Sequence, residues 1–107
     1  MTYNFVALAV ISFLRDAIQT MTGHSRYVFS LCLDTANKHL FSGSDDKTII
    51  MWNLESYEKL MTFEGHTNRV NSIAVLSNGH FLSGGGDKTV RKWNISSGQC
   101  VRISCLN

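Results

Sequence analysis

Residues 42–53 read SGSDDKTIIMWN, and residues 83–94 read SGGGDKTVRKWN. The two stretches share a Ser-Gly pair, an Asp-Lys-Thr triplet and a Trp-Asn pair in one register. Upstream, Gly23-His24-Ser25 is matched by Gly65-His66-Thr67. Self-similarity at a spacing of 41 residues (42 to 83) to 42 residues (23 to 65) indicates a repeat protein, in which each copy builds one structural unit.

Each copy has the pattern of four short strands joined by tight turns. Runs rich in β-branched and aromatic residues alternate with Asn-Gly, Gly-Gly and Ser-Gly turn signals. The segment Gly84-Gly85-Gly86-Asp87, which contains a run of three glycines, is predicted to be one of these turns. We therefore predict an all-β fold of two four-stranded antiparallel blades. The predicted strands are 27–33, 39–42, 48–53 and 60–63 in the first copy, and 70–75, 81–83, 89–94 and 99–105 in the second.

The repeated unit resembles the repeat of the WD40 family. The resemblance covers residues 23–107 and divides them into repeats at 23–64 and 65–107. It implies a β-propeller, in which four-stranded blades surround a central channel. Both copies carry Trp-Asn where the family usually has Trp-Asp, and Asn also accepts turn geometry and caps backbone amides. The matching residues are Gly23-His24, Asp46-Lys47-Thr48 and Trp52, then Gly65-His66, Asp87-Lys88-Thr89 and Trp93.

The resemblance also implies a hydrogen-bonded tetrad in each blade, formed by a histidine, a strand hydroxyl, a turn aspartate and a tryptophan. The chemistry is consistent, because a carboxylate only accepts, an indole only donates, and imidazole and hydroxyl do both. Ser44 is excluded as the repeated hydroxyl, because its counterpart is Gly85. The implied structural tetrads are His24, Ser42, Asp46 and Trp52, and His66, Ser83, Asp87 and Trp93.

Residues 1–22 permit two interpretations. Extending the repeat register backward predicts degenerate outer strands of a preceding blade, at 4–10 and 17–21, with a turn at 12–16. The alternative is a short apolar helix over Phe5–Gln19, because the apolar residues of this segment point nearly all round a helix. Periodicity does not decide between the two, and we favour the strand pair.

Two blades and a partial third make an incomplete propeller, because propellers close with four to eight blades. Open sheet faces and unpaired strand edges offer surfaces to further blades or other chains. We therefore expect a fragment of a larger propeller, or a truncated reading frame, that pairs with further blades or self-associates.

Charge, cysteine content and hydrophobic pattern argue against several classes of function. The net charge of +2 with interspersed signs gives no basic face for nucleic acid or an anionic membrane. Three cysteines without paired spacing argue against a disulfide framework and for a reducing compartment. The apolar run 5–14 is too short to span a bilayer and lacks preceding positive charge. We expect a cytoplasmic or nuclear protein with no nucleic-acid or membrane partner.

No motif predicts catalysis or a cofactor. The run Gly84–Thr89 lacks the Gly-Lys-Thr order of a phosphate-binding loop, because Asp87 intervenes. The four histidines have no metal-ligand spacing; tetrad roles account for two, and solvent for His39 and His80. The cysteines are expected to be ordinary strand residues. We expect no enzyme activity, no cofactor and no metal.

The residues that differ between copies carry the predicted specificity. In the WD40 family the entry loops after Gly-His line a face where peptides dock, and Arg and Tyr suit binding hot spots. The pieces GHTNRV (65–70) and SSGQCVR (96–102) resemble repeats from substrate-recognition propellers of ubiquitin ligases, although no F-box-like helical segment is present. We expect a non-catalytic scaffold that binds other proteins or peptides; the alternative is a small membrane-tethered or secreted β protein. The candidate partner-binding residues are Arg26, Tyr27, Asp45, Asn68 and Arg69.

Overall fold

Ten strands in three antiparallel sheets form the fold. The computed structural model describes residues 5–11 and 17–106, with side chains from Met21 onward. The first sheet has two strands and the other two have four each, in the orders β3-β4-β5-β6 and β7-β8-β9-β10. Each four-stranded sheet is a meander in which consecutive strands pair, which confirms the predicted all-β blades. The strands are β1 Phe5–Ile11, β2 Ala17–His24, β3 Val28–Asp34, β4 His39–Ser44, β5 Thr48–Asn53, β6 Lys59–Glu64, β7 Val70–Val75, β8 His80–Gly85, β9 Thr89–Asn94 and β10 Cys100–Cys105.

The N-terminal segment is a strand pair. β1 and β2 run antiparallel, with Ala9 opposite Gln19 and Ile11 opposite Ala17. The helix alternative over Phe5–Gln19 is therefore wrong wherever its residues are described, and the predicted turn at 12–16 lies outside the described residues. That this pair is the outer part of a preceding blade, and that the repeats divide at 23–64 and 65–107, stay predictions.

The second strand of each blade, β4 or β8, is longer than predicted. β8 continues through Gly84 and Gly85, so the glycine run is not wholly a turn. In the same way β4 continues through Gly43 and Ser44. Glycine is compatible with a strand here because a neighbouring strand comes close. A Cβ on Gly43 would lie 2.5 Å from Ser30 Oγ and 2.7 Å from Val70 Cγ1.

The main hydrophobic core lies between the two blades. Blade 1 (β3–β6) contributes Phe41 and Phe63, and blade 2 (β7–β10) contributes Phe81 and Trp93, all fully buried. The Phe63 and Phe81 ring centroids are 4.8 Å apart, edge to face, a favourable arrangement for aromatic rings. This cluster joins the two blades into one packed unit.

A second core lies on the opposite face of blade 1. Trp52, Leu40 and Ile50 pack there with Met21 of β2, which places the N-terminal strand pair against this blade. Each broad face of blade 1 is thus partly covered by a neighbouring sheet. On β3, Phe29, Leu31 and Leu33 remain 41–51% exposed.

Candidate functional site

The first tetrad is assembled where β2, β4 and β5 meet. The Trp52 indole N–H donates to Ser42 Oγ at 2.8 Å, and Ser42 Oγ lies 2.7 Å from His24 Nε2. His24 Nδ1 lies 2.9 Å from Asp46 Oδ2. Because the carboxylate can only accept, Nδ1 carries the proton, and in the neutral ring Nε2 accepts from the serine. The four residues form one continuous hydrogen-bonded chain.

The second tetrad repeats this geometry in blade 2. Trp93 Nε1 donates to Ser83 Oγ at 2.8 Å, and Ser83 Oγ lies 2.7 Å from His66 Nε2. His66 Nδ1 lies 3.0 Å from Asp87 Oδ2. The structure thus brings together all eight residues that the resemblance assigned to tetrads, in two groups of four.

A threonine hydroxyl completes each chain, a role that the sequence analysis missed. Thr48 Oγ1 donates to Asp46 Oδ1 at 2.5 Å, and Thr89 Oγ1 donates to Asp87 Oδ1 at 2.7 Å. The signal was present, because both threonines belong to the repeated Asp-Lys-Thr triplet. In that triplet Lys47 adopts a φ of 74°, typical of the left-handed residue that ends a three-residue hairpin loop.

Both tetrad carboxyls are held in the ionised form. Burial alone would raise the pKa of Asp46, but hydrogen bonds from His24, Thr48 and the Ser25 backbone outweigh it, so its pKa lies well below the ordinary value. The pKa of Asp87 is likewise lowered against burial, by hydrogen bonds from Thr89, Thr67 and His66. Hydrogen bonds to a charged form favour that form.

These lowered pKa values predict an acid-sensitive fold. Each of these carboxyls has a lower pKa in the folded state than in the unfolded state, where the ordinary value is 3.8. Such a group stabilises the folded protein at any pH above its unfolded pKa. The stabilisation is lost as the pH falls toward the lower pKa of the folded state. We expect the free energy of unfolding to fall progressively below about pH 5. Urea titrations at successive pH values measure this.

The acid response is tested with a double variant that combines Asp46→Asn with Asp87→Asn. The matched control is Glu58→Gln, which removes one carboxyl in an exposed turn. The double variant should be less stable at neutral pH and should show a shallower loss of stability on acidification. Glu58→Gln should retain the slope of the parent. An unchanged slope in the double variant would contradict the assignment of the acid response to the tetrads.

A polar groove lies at the tetrad end of the blades, with a volume of about 530 Å³. The β4–β5 turn of blade 1 and the entry loops of both blades form its wall. Arg26 Nε donates to Asp45 Oδ2 at 2.6 Å, and this hydrogen bond raises the pKa of the guanidinium. The structure brings three predicted partner-binding residues, Arg26, Asp45 and Asn68, into this groove. The other lining residues are Ser25, Asp46, Lys47 and Thr67.

The remaining two predicted partner-binding residues lie outside the groove lining. Tyr27 is 62% exposed and directly precedes β3, the first strand of blade 1. Arg69 places its guanidinium carbon 5.8 Å from the Phe29 ring centroid, and its Nε donates to Asn71 Oδ1. This contact joins the entry loop of blade 2 to strand β3 of blade 1, so no local sequence pattern predicts it.

A separate cavity of about 570 Å³ lies between the blades at the end opposite to the groove. Met51, Met61 and Ile95 line it together with His39 and His80. The expectation that solvent alone accounts for both histidines is wrong for His39, which is half-buried and packs edge-on against Phe41 at 6.2 Å. Among the described residues, no group of three or more His, Cys, Asp or Glu side chains could hold a metal ion.

The described part of the chain also contains no helix with the length and apolar character needed to cross a membrane. The glycine run 84–86 closes β8 and leads into a tight turn to β9, where the Lys88 amide donates to Gly85 O. That geometry differs from the strand-to-helix loop that cradles phosphates.

Several curated proteins resemble the chain over a short part of their own length. A probable SCF-type E3 ubiquitin ligase subunit, scon-2 of Neurospora crassa, is 38% identical over 56 residues, which are 52% of this chain and 9% of that protein. A 66 kDa stress protein of Physarum polycephalum is 43% identical over 61 residues, 56% of the chain and 10% of that protein. A probable ligase subunit, sconB of Arthroderma otae, is 34% identical over 64 residues, 60% of the chain and 10% of that protein. The chain thus spans about a tenth of the length of the relatives it matches.

The family model described as WD domain, G-beta repeat matches residues 15–53 and 57–94. Each matched segment ends with the Trp-Asn pair of the third strand. The first contains β2–β5 and the second β6–β9, so the sequence repeat is displaced by one strand from the hydrogen-bonded sheets β3–β6 and β7–β10. Together the two segments cover well over half of the 107 residues, and the chain belongs to the WD40 family.

Proposed function

We propose that the chain is a non-catalytic WD40 scaffold segment that binds other proteins or peptides through the groove at the tetrad end. The observation that carries the proposal is the position of this groove. Rigid tetrads hold the loops of two adjacent blades around it, and three of its polar residues, Arg26, Asp45 and Asn68, lie at positions that differ between the repeats. Binding residues lie disproportionately on loops that a rigid scaffold positions.

The charge pattern of the groove fits a polar or charged peptide. Arg26 is exposed and offers further N–H donors beyond the one that contacts Asp45. Lys47 adds a second cation, while Asn68 offers both donors and an acceptor. Exposed Arg side chains at the centre of an interface are frequent hot spots, because planar guanidinium groups make several directed hydrogen bonds.

Substrate recognition within an ubiquitin ligase is the finer proposal. Two of the relatives named above are probable SCF ligase subunits, whereas the third is named a stress protein. For such a scaffold we also propose a cytoplasmic or nuclear location and no catalytic activity. The family match favours the scaffold over the membrane-tethered or secreted alternative.

A selection of peptide ligands tests the groove. Peptides of 12 residues, selected on the chain from a displayed random library, should bind about tenfold more weakly to Arg26→Ala, as expected when one hot-spot side chain is truncated. Asn68→Ala should weaken binding to a smaller degree. Fluorescence anisotropy with labelled peptides gives the dissociation constants.

The control for this experiment is Lys59→Ala, an exposed cation on the outer strand of blade 1, away from the groove. Its dissociation constants should equal those of the parent. If the selected peptides bind Arg26→Ala and Asn68→Ala as tightly as the parent, the groove is not the docking site.

A further inference from the structure

The hairpin turn of residues 76–80, here called the Asn-Gly turn, carries the exposed pair Asn78-Gly79 between β7 and β8. Gly79 has a φ of 82°, and an added Cβ at this position would meet no atom within 4 Å. The Gly79 carbonyl is held, because it accepts from the Ile95 amide at 3.0 Å, whereas the Gly79 amide donates to no described residue. The turn therefore leaves one backbone N–H free directly after the asparagine.

A free amide that follows an asparagine can attack the side chain of that asparagine. The amide nitrogen gives up its proton to hydroxide and forms a bond to Cγ. The bond from Cγ to Nδ2 breaks, and the side-chain nitrogen leaves as ammonia after taking a proton from water. The product is a five-membered succinimide ring, which one water molecule opens to aspartate or, at the other carbonyl, to isoaspartate. Glycine favours ring closure because it has no Cβ to crowd the attacking nitrogen.

His80 is positioned to assist this reaction. Its Nδ1 lies 3.2 Å from Asn78 Oδ1 and 3.2 Å from the backbone O of Asn78. Because the backbone oxygen can only accept, Nδ1 carries the proton and donates it to these oxygens. Oδ1 gains negative charge as the amide nitrogen attacks Cγ, so a donor already aimed at this atom stabilises the transition state.

The equivalent turn of blade 1 has a similar backbone. Asn37 and Lys38 occupy the positions of Asn78 and Gly79 in the repeat register. Lys38 also has a positive φ, of 58°, and its carbonyl accepts from the Leu54 amide at 2.9 Å, as the carbonyl of Gly79 does from its own partner. Blade 1 therefore supplies an internal comparison for the chemistry of the Asn-Gly turn.

The contacts of Asn37 disfavour the same reaction. The Lys38 amide donates to Thr35 O at 3.3 Å, so the attacking nitrogen is engaged, and lysine adds a Cβ beside it. The leaving nitrogen is engaged as well, because Asn37 Nδ2 donates to Asp34 Oδ2 at 3.0 Å. Nδ1 of His39 is buried and has no hydrogen-bond partner among the described residues, so it offers no donor to the amide oxygen.

We propose that Asn78 is a modification site, at which the folded chain converts its own asparagine to aspartate or isoaspartate through attack by the Gly79 amide, with assistance from His80. The reaction consumes only water and releases ammonia. It selects one copy of the repeat, because Asn37 lacks the free amide, the glycine and the imidazole donor.

The product changes the cavity of about 570 Å³ between the blades. Asn78 and His80 both line this cavity, and its described lining residues include no Asp or Glu. Conversion therefore introduces a negative charge beside an imidazole, on a rim that has none. Isoaspartate also adds one carbon to the backbone of a turn whose Gly79 carbonyl is fixed to the Ile95 amide. The modification is thus a slow, irreversible change in the charge and shape of this surface.

Timed incubation of the full chain at neutral pH, followed by peptide mapping, tests the proposal. Digestion at mildly acidic pH keeps further conversion slow, and chromatography with mass spectrometry separates the asparagine, succinimide, aspartate and isoaspartate forms of each peptide. We expect Asn78 to convert about tenfold faster than Asn37 or more, because only its neighbouring amide is free to attack. Incubation in water enriched in heavy oxygen should place the label in the new carboxyl group.

Matched variants separate the contributions to the rate. Gly79→Lys reproduces the turn of blade 1 and should slow conversion to the rate of Asn37. His80→Ala removes the donor and should slow conversion about tenfold, less than the loss of a buried oxyanion donor in an enzyme. His80→Phe keeps a ring without an N–H and should behave in the same way. Lys38→Gly combined with Asp34→Ala should speed conversion at Asn37, and circular dichroism checks that each variant remains folded.

The same incubation in urea distinguishes the fold from the local sequence. The contact between His80 and Asn78 is absent in the unfolded chain, so the parent and both His80 variants should convert at one rate there. Two outcomes in the folded chain would overturn the proposal. Equal conversion of Asn78 in the parent and in Gly79→Lys, or none in either, would show that the glycine amide is not the nucleophile. Equal conversion in the parent and in both His80 variants would show that the fold contributes no assisting donor.

Discussion

Replacing Trp93 with alanine is expected to lower the free energy of unfolding by about 3–5 kcal/mol, the range found for large buried aromatic side chains. The indole is 1% exposed and fills the core between the blades. It stacks on Phe81 with ring centroids 6.1 Å apart. Its removal leaves a cavity and also deprives Ser83 of its indole donor, which lies at 2.8 Å. Urea unfolding followed by far-ultraviolet circular dichroism measures the change.

Two further variants separate the contributions of Trp93. Trp93→Phe keeps most of the apolar volume but lacks the N–H, and it should cost less than the alanine variant because only part of the contact is lost. Lys92→Ala changes the neighbouring side chain on the opposite face of β9, and it should leave the stability within about 0.5 kcal/mol of the parent. A Trp93→Ala protein that unfolds at the parent's urea concentration would contradict the packing described for blade 2.

The repeat made most of the fold predictable from one sequence. A hydrophobic pattern of short strands is compatible with many sheet arrangements. Two copies of the pattern in one register show which strands belong to one structural unit. The repeated polar residues were informative because a buried His, Ser or Asp needs partners, and partners recur together. The observed blades differ from the expected ones mainly at strand ends, as at Gly84, where a close neighbouring strand and not a turn accounts for the glycine.

Contacts between blades were much less predictable. The placement of Arg69 against Phe29 depends on how two sheets approach each other, and no local pattern encodes that approach. Lys92 lies opposite Arg102 across β9 and β10, and this pairing of like charges follows only from the strand register, because the two residues are ten positions apart on adjacent strands. In residues 1–22 the repeat is degenerate, so periodicity did not decide between the helix and the strand pair, and only the backward extension of the repeat register favoured the strands.

Replacing Phe81 with alanine is expected to lower the free energy of unfolding by about 3–5 kcal/mol as well, but through the contact between blades. Phe81 is fully buried and lies against two aromatic rings of blade 1, with centroids 4.7 Å away for Phe41 and 4.8 Å away for Phe63. No hydrogen bond of the tetrads involves its side chain. The variant therefore weakens the junction while leaving the polar chain of each blade intact.

Hydrogen exchange distinguishes a loss at the junction from a loss within one blade. Because the cluster is shared, amides of β4–β5 and of β8–β9 should lose protection together in Phe81→Ala, as in one cooperative unit. The matched control is Leu82→Ala, the adjacent residue on the opposite face of β8, which should affect protection less. A double-mutant cycle with Phe63→Ala should give a coupling energy of about 0.5–1.5 kcal/mol. Either single substitution already removes the contact between the two rings, so the double variant should lose less stability than the sum of the single variants. If blade 1 keeps its protection while blade 2 loses it, or if the two substitutions add independently, the blades fold as separate units and the shared aromatic core does not join them.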